Sequence, residues 1–474
     1  MWAMCFCVLY RGGRGVVLEK DKLLQRREMT ERYNVIVAGA GPAGLMAALR
    51  TAEKGLKVLV VEKKTAVCEV LRTTGNAFRN MNPINGEYLT LDKKRDNATI
   101  HFHNSKFNLE YTGRLLDTYD SYSFSNAGYC MRTTRKDRPM SYTFSVRTLY
   151  QDLKNKAEEA GALFMTGAIA MRTENLKKGA RVHIKKAGKV SWCEADRVIA
   201  ADGLQSRLME TMGVNKDREF YVKGPVFETT FAGVEFPYPV GVSSIRGKGM
   251  TDGRDGFIFL YPSVEEEGAY SVIVQTKFPA YQGPKIIDYF TKESRCAPWF
   301  KNARPVSKSA ALVTIRSPMV TPYIDKVLFI GDAPAYGETL VAGAIRCGYH
   351  AADAVYKEIS GEKGFEEYEY FWTSNFEYIK NPMKRADYTR ILLLYGYLSE
   401  DELDFLYKLS EEKGSIEQSG GIDPSNEYTA AHRIIDYFMS FPEVKGELLN
   451  KLNVIKSADV KTTMEKRKWK ESQQ

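Results

Sequence analysis

The stretch Tyr33-Asn-Val-Ile-Val-Ala-Gly39-Ala-Gly41-Pro-Ala-Gly44-Leu-Met-Ala-Ala-Leu-Arg50, continued by Lys57-Val-Leu-Val-Val-Glu62, decides the fold. An apolar run of strand character enters three glycines spaced GxGxxG, the text then turns Ala-rich and helical, and a second apolar run ends in an acid. Strand, turn, helix, strand and acid in that order make a βαβ unit of the kind that binds a dinucleotide, with Glu62 lying 21 residues after Gly41. Gly39 lets the chain turn tightly. Gly41 lets backbone approach a pyrophosphate where a Cβ would intervene, and Gly44 lets helix and strand pack closely. The amides that open the helix face the phosphates, and Glu62 accepts hydrogen bonds from a ribose diol.

Working outward, 474 residues predict two or three domains, and 44% hydrophobic against 27% charged residues, with 37 glycines and 17 prolines, excludes disordered and collagen-like classes. The net charge of +9 is concentrated at the ends, since residues 1–32 and 456–474 carry +3 each. No basic stripe is left for a folded face, so no nucleic-acid partner is expected. Seven cysteines are scattered without a CxxC pair or a companion histidine at zinc spacing, and the five histidines are equally dispersed. That pattern predicts no metal site and a reduced, cytoplasmic compartment. No apolar run approaches the roughly 20 residues that span a bilayer. Residues 1–32 read as a disordered N-terminal extension, with residues 1–28 a leader or an early start codon.

Two further strand ends carry an acid and a glycine. Arg197-Val-Ile-Ala-Ala-Asp202-Gly203 is the first, and by itself it reads as a turn. Asp325-Lys-Val-Leu-Phe-Ile-Gly331-Asp332-Ala333 is the second, followed by helical text from about Leu340. Together they predict one nucleotide domain assembled from distant segments: 33–90, 131–212 and 316–362. Residues 91–130 and 213–315 read as a substrate domain, an antiparallel sheet with one wet face, because Gly256-Phe-Ile-Phe-Leu-Tyr-Pro262 and Tyr270-Ser-Val-Ile-Val-Gln275 alternate. Residues 363–474 read as helical. The aromatics Tyr368, Tyr370, Phe371, Trp372, Phe376 and Tyr378 are expected to pack a core rather than to stack on a ligand.

The glycine fingerprint with Glu62, the Asp202-Gly203 end and the Gly331-Asp332 end, in this order, resemble the glutathione-reductase-type FAD fold in its para-hydroxybenzoate hydroxylase branch. Ser145-Val-Arg147-Thr-Leu-Tyr-Gln-Asp-Leu153 is similar to the segment opening a long helix in that branch. Tyr397-Leu-Ser-Glu-Asp-Glu-Leu-Asp-Phe-Leu-Tyr-Lys-Leu409 is similar to the C-terminal helices of geranylgeranyl reductases. The resemblance covers about residues 33–410. It implies an α/β fold: a Rossmann-like FAD-binding domain from discontinuous segments, an antiparallel-sheet substrate domain and a helical C-terminal region. It implies that Gly39, Gly41, Gly44 and Glu62 hold the ADP half of FAD, that Asp332 takes the ribityl chain, and that Arg147, Asp202, Gly203, Gly331 and Gly343 also lie at the cofactor. The chain departs from the family after Gly-Asp-Ala: Thr339 stands at a proline position, and Ala342 and Ala344 stand where two glycines usually flank one residue, here Gly343.

No second glycine fingerprint follows a strand, so NAD(P)H enters only as a transient reductant and the electron donor stays open. Hydride leaving reduced FAD for one carbon of a C=C bond needs an acid to protonate the other. The candidate acids are Tyr261, Cys347 and Cys68, whereas His350 reads as structural. Three functions fit: a flavin reductase acting on an apolar, isoprenoid-like substrate, touching a membrane peripherally if that substrate is a lipid; a flavin monooxygenase or halogenase acting on an aromatic or small organic substrate; and a non-catalytic prenyl-binding protein on the same fold, similar to Rab GDP-dissociation inhibitors.

Overall fold

The computed structural model describes residues 32–68, 76–79, 81–82, 86–94, 97–414, 416–417 and 427–459. The expectation of a disordered leader falls on residues 1–31, and the end of the region read as helical on residues 460–474, both outside the described residues.

The fingerprint forms the strand Arg32–Ala38, the helix Pro42–Glu53 and the strand Val58–Glu62. Val35 and Val37 enter one core cluster while Ile36 and Ala38 enter another. A strand covered on both faces has no wet side to mark with polar residues, which is why this one reads as an unbroken apolar run. The sheet runs in the order Leu163–Thr166, Val58–Glu62, Arg32–Ala38, Lys189–Ala200, Ala180–Lys186 and Ala168–Asn175, and Val327–Phe329 also pairs with Lys189–Ala200. The fingerprint strand, Lys189–Ala200 and Val327–Phe329 run parallel in that order, with Ala38 beside Ala200 and Ala200 beside Phe329. Gly39, Asp202 and Gly331 therefore emerge side by side at one carboxyl edge, where open α/β sheets bind ligands. The helices Pro42–Glu53, Val146–Glu159 and Leu340–Ile359 cover one face of this sheet.

A second eight-stranded sheet runs Arg304–Arg316, Phe220–Ala232, Ala269–Thr276, Gly256–Ser263, Gly241–Ile245, Asp120–Phe124, Cys130–Thr134 and Ile416–Glu417. It is mostly antiparallel, but Gly241–Ile245 pairs in parallel with Asp120–Phe124, as Cys130–Thr134 does with Ile416–Glu417. Ile258, Leu260, Val272 and Val274 pack with Ile286 and Phe290 of the helix Gln282–Lys292. Phe257, Phe259 and Tyr261 alternate with them and so share the opposite face.

Residues 91–130, expected within the substrate domain, divide. The hairpin strands Glu87–Lys93, Ala98–Phe102 and Phe107–Tyr111 form their own small sheet, whose Leu89, Ile100 and Leu109 pack into the core around the fingerprint helix; only Asp120–Phe124 and Cys130–Thr134 join the substrate sheet. Tyr368, Phe371, Trp372, Phe376 and Tyr378 are all buried, and Trp372 Nε1 donates to the Met319 carbonyl at 2.8 Å, whereas Tyr370 stays exposed. Core packing is thus what those aromatics do. The helices Pro382–Tyr397, Glu400–Glu412, Glu427–Met439 and Gly446–Ser457 close a separate apolar cluster that reaches the substrate sheet through Met131.

Candidate functional site

Three distant segments meet at the edge. Gly39 has φ +100°, and a Cβ there would stand 2.5 Å from the Ala201 carbonyl oxygen and 3.1 Å from Asp202 Cα. A Cβ on Gly44 would stand 2.0 Å from the Gly39 carbonyl oxygen, so helix and strand approach to the limit that glycine permits. Gly331, at φ +65°, lies 3.1 Å by the same measure from the Ala43 side chain in the first turn of the fingerprint helix. Gly41 is different. A Cβ on it would meet nothing within 4 Å, and its extended backbone is open to any residue. The protein does not need glycine at 41 for its own packing, and the open space stands at the N-terminus of the helix Pro42–Glu53, where the first amides have no partner within the helix.

Glu62 is buried, with Oε2 accepting from Ala40 N–H at 2.7 Å and Oε1 from Lys64 N–H at 2.9 Å. One lone-pair direction is thus committed to the glycine turn and one to the backbone just past the second strand, which leaves acceptor capacity on both oxygens. Asp202 Oδ2 accepts from Leu208 N–H at 3.2 Å in the short helix Arg207–Thr211, which Ser206 caps, while its buried Oδ1 has no hydrogen-bond partner among the described residues. Burial raises its pKa, against hydrogen bonds from Ser206 and nearby amides. An orphaned buried acceptor beside the glycine turn is what a hydroxyl-bearing ligand would satisfy.

The Gly331-Asp332 corner is held from both sides. Thr339 donates both its N–H and its hydroxyl to Asp332 Oδ1, at 2.7 and 2.8 Å. Arg218 donates to the carbonyls of Ser317, Ala333 and Ala335 at 2.6, 2.9 and 2.5 Å, and burial with the neighbouring Arg316 lowers its pKa to about 10, so it stays charged at neutral pH. Sequence reading missed Arg218, for which an isolated arginine offers no signal. Thr339 was visible only as a departure from the family text.

A family profile described as "FAD binding domain" matches residues 32–334. The chain belongs to this FAD-binding family. FAD is its cofactor, and the open cradle at Gly41 and the orphaned Asp202 oxygen fit it. Among curated relatives, the digeranylgeranylglycerophospholipid reductase of Methanocaldococcus jannaschii is 24% identical over 389 residues, covering 80% of this chain and 91% of the relative. Among solved structures, a geranylgeranyl bacteriochlorophyll reductase-like protein of Thermoplasma acidophilum superposes with a TM-score of 0.63 at 17% identity, over 90% of this chain and 99% of that one. A p-nitrophenol 4-monooxygenase of Pseudomonas putida DLL-E4 gives 0.56 at 13% identity, over 90% and 99%.

The remaining site candidates of this FAD-binding protein fall into two groups. Arg147 is exposed at the start of the helix Val146–Glu159 and donates to the Cys68 carbonyl at 2.7 Å. Burial pushes the Cys68 thiol up, with Arg147, Lys64 and Lys154 pulling the other way. Ser145, which caps that helix, donates to Glu265 just beyond the strand Gly256–Ser263, so the half-buried Tyr261 lies on a strand tied to the same helix start. Cys347 belongs elsewhere. It is fully buried beneath the Gly331-Asp332 corner against Tyr368, and burial pushes its thiol up to about 12. His350 reaches Ser105 Oγ at 3.2 Å within a buried network of Arg346, Glu87 and Asn375, the structural role expected of it. Among the described residues there is no cluster suited to a metal and no helix long and apolar enough to cross a membrane.

Proposed function

We propose that this protein is an FAD-dependent reductase that saturates C=C bonds of an apolar, isoprenoid-type substrate. The observation that carries the reading is the likeness to a relative named digeranylgeranylglycerophospholipid reductase over 91% of that relative's length. The substrate sheet supports it. Phe257, Phe259 and Tyr261 form a half-buried stripe of about 13 Å on one face. At one end Arg246 stacks on Phe257, Phe259 and Tyr395 of the C-terminal helices, and at the other Glu265 meets Ser145. An apolar chain laid along this stripe would run from the helical region toward the flavin.

In this reading Gly39, Gly41, Gly44 and Glu62 hold the ADP half, Asp202 and Gly203 a hydroxyl beside it, and Asp332 with Gly331 the ribityl chain. Gly343 in the first turn of Leu340–Ile359 and Arg147 then lie toward the flavin ring. Reduced FAD supplies the hydride equivalent. The chain's own task is to order the polyene and to deliver one proton, from Tyr261 on the stripe or Cys68 beside Arg147. Cys347, closed into the core, is a packing residue. NAD(P)H acts only as a passing reductant, for which the fold keeps no second glycine fingerprint.

The test is anaerobic. Photoreduced enzyme mixed with an all-trans isoprenoid polyene should reoxidise and consume one double bond per two electrons. Oxygen carried into an aromatic product on aeration, with no anaerobic polyene reduction, would overturn the reading in favour of a monooxygenase.

A further inference from the structure

We propose that the outer end of the substrate domain, around the start of the helix Gln282–Lys292, is a docking surface for an anionic lipid membrane. An open surface cavity of about 400 Å³ lies there, lined by Lys248, Arg254, Asp255, Tyr281, Gln282 and Lys285. Arg254 is ion-paired with Asp252, and Lys277 with Asp255 at 3.0 Å. Lys248 and Lys285 have no ion pair among the described residues; Lys285 instead lays its ammonium 5.0 Å from the Tyr281 ring. Asp255, the carboxylate of the lining, is thus committed to Lys277, and two lysines without an ion pair face a cavity large enough for a phosphate headgroup. Phe278 and Tyr281, three residues apart on the same turn, are 56% and 62% exposed. Water-facing aromatics set beside lysines without an ion pair are what an interfacial membrane contact needs: the rings enter the headgroup boundary and the ammonium groups meet lipid phosphates.

The position gives the surface a purpose. The cavity lies off the Gly256 end of the strand carrying Phe257, Phe259 and Tyr261, and Lys248 N–H donates to Glu400 at the start of the helix Glu400–Glu412. Docking here would set a membrane at the end of the aromatic stripe remote from Ser145. The docking argument rests on exposure and charge alone, and does not require the reductase reading.

Flotation of the flavin-loaded protein with vesicles of phosphatidylserine and phosphatidylcholine in equal parts tests it. Binding is expected to those vesicles, to fall with added salt, and to be far weaker to phosphatidylcholine alone. The pair Lys248→Gln/Lys285→Gln should weaken binding about thirtyfold, from the usual contribution of two basic residues near an anionic leaflet. Phe278→Ser/Tyr281→Ser should weaken it about tenfold or more through lost apolar insertion. All four positions are on the surface, so flavin content should stay that of the parent. Failure to bind, or equal binding to both vesicle types, would overturn the proposal. So would binding lost with the lysines but indifferent to the aromatics, which marks a surface for a soluble acidic partner. None of these outcomes depends on turnover, so the reductase reading would stand or fall separately.

Discussion

Substituting the fingerprint glycines one at a time separates what each does for the fold from what it does for the cofactor. A valine at Gly41 meets open space and an ordinary extended backbone, so the apo-protein should lose only about 1 kcal/mol from a poorer helix cap. For FAD the same side chain fills the approach to the helix-start amides. If two phosphate-facing bonds are lost at about 1.5–3 kcal/mol each, affinity falls by about two to four powers of ten. Gly44→Ala reverses the pattern: its Cβ would stand 2.0 Å from a backbone oxygen that cannot swing aside, an overpacking that costs about 3 kcal/mol or more before any ligand is involved. The assay is to strip the flavin, melt each apo-protein by far-ultraviolet circular dichroism, and titrate FAD by fluorescence quenching. Gly41→Val should melt close to the parent and bind FAD far more weakly, whereas Gly44→Ala should melt well below it. A valine variant binding FAD within a few-fold of the parent would refute the assignment of the phosphate cradle, and equal loss of stability in the two variants would refute the separation of roles.

Thr339→Val keeps the shape but removes the hydroxyl bond to Asp332, so FAD affinity should fall about tenfold to a hundredfold in the same titration; Thr339→Pro, which restores the family residue, should do worse because it also removes the N–H bond. Arg218→Met leaves three backbone carbonyls without their charged donor, and flavin release followed by stopped-flow should accelerate at least tenfold, with Arg218→Lys recovering part of the loss. Burial, with Arg346 close by and Asp353 acting against it, holds His350 down to about 4, below its ordinary 6.5. The unfolded chain therefore binds this proton more readily, and the stability present above pH 6.5 is lost as pH falls toward 4, by about 3 kcal/mol at pH 4. Urea midpoints measured across that window should fall less steeply in His350→Gln, and an unchanged slope would show that other groups carry the acid sensitivity.

The fingerprint was legible because its chemistry is local: three glycines, a flanking strand and a terminal acid occupy 30 residues whose spacing alone implies the turn. The Gly331-Asp332 end was legible for the same reason. What holds these ends was not, since Ala201 closes on Gly39 across 162 positions and Arg218 reaches Ala333 and Ala335 across 115 and 117. Pairings of that range are decided by tertiary packing and leave no period in the text. The division of residues 91–130 was hidden for a related reason. Alternation marks a strand with one covered face, but Leu89, Ile100 and Leu109 alternate as well as Tyr122 and Phe124 do, and nothing local says which core a face will meet.

The departure after Gly-Asp-Ala has a physical account. A proline at 339 could donate nothing, whereas Thr339 fixes the Asp332 carboxylate with two donors. The bend that follows falls on Leu340, which has φ +61°, a conformation that costs a non-glycine residue about 1–2 kcal/mol and persists only where its surroundings enforce it. Here the surroundings are Thr339 on one side and the buried start of the helix Leu340–Ile359 on the other. The two alanines that replace glycine, Ala342 and Ala344, are 6% and 5% exposed and belong to the core cluster around the fingerprint helix. Their methyl groups are therefore part of the packing against that helix. Gly343, between them, keeps a backbone free of any Cβ in the first turn of the helix Leu340–Ile359. The replaced residues thus alter how the corner is supported and leave position 343 without a side chain.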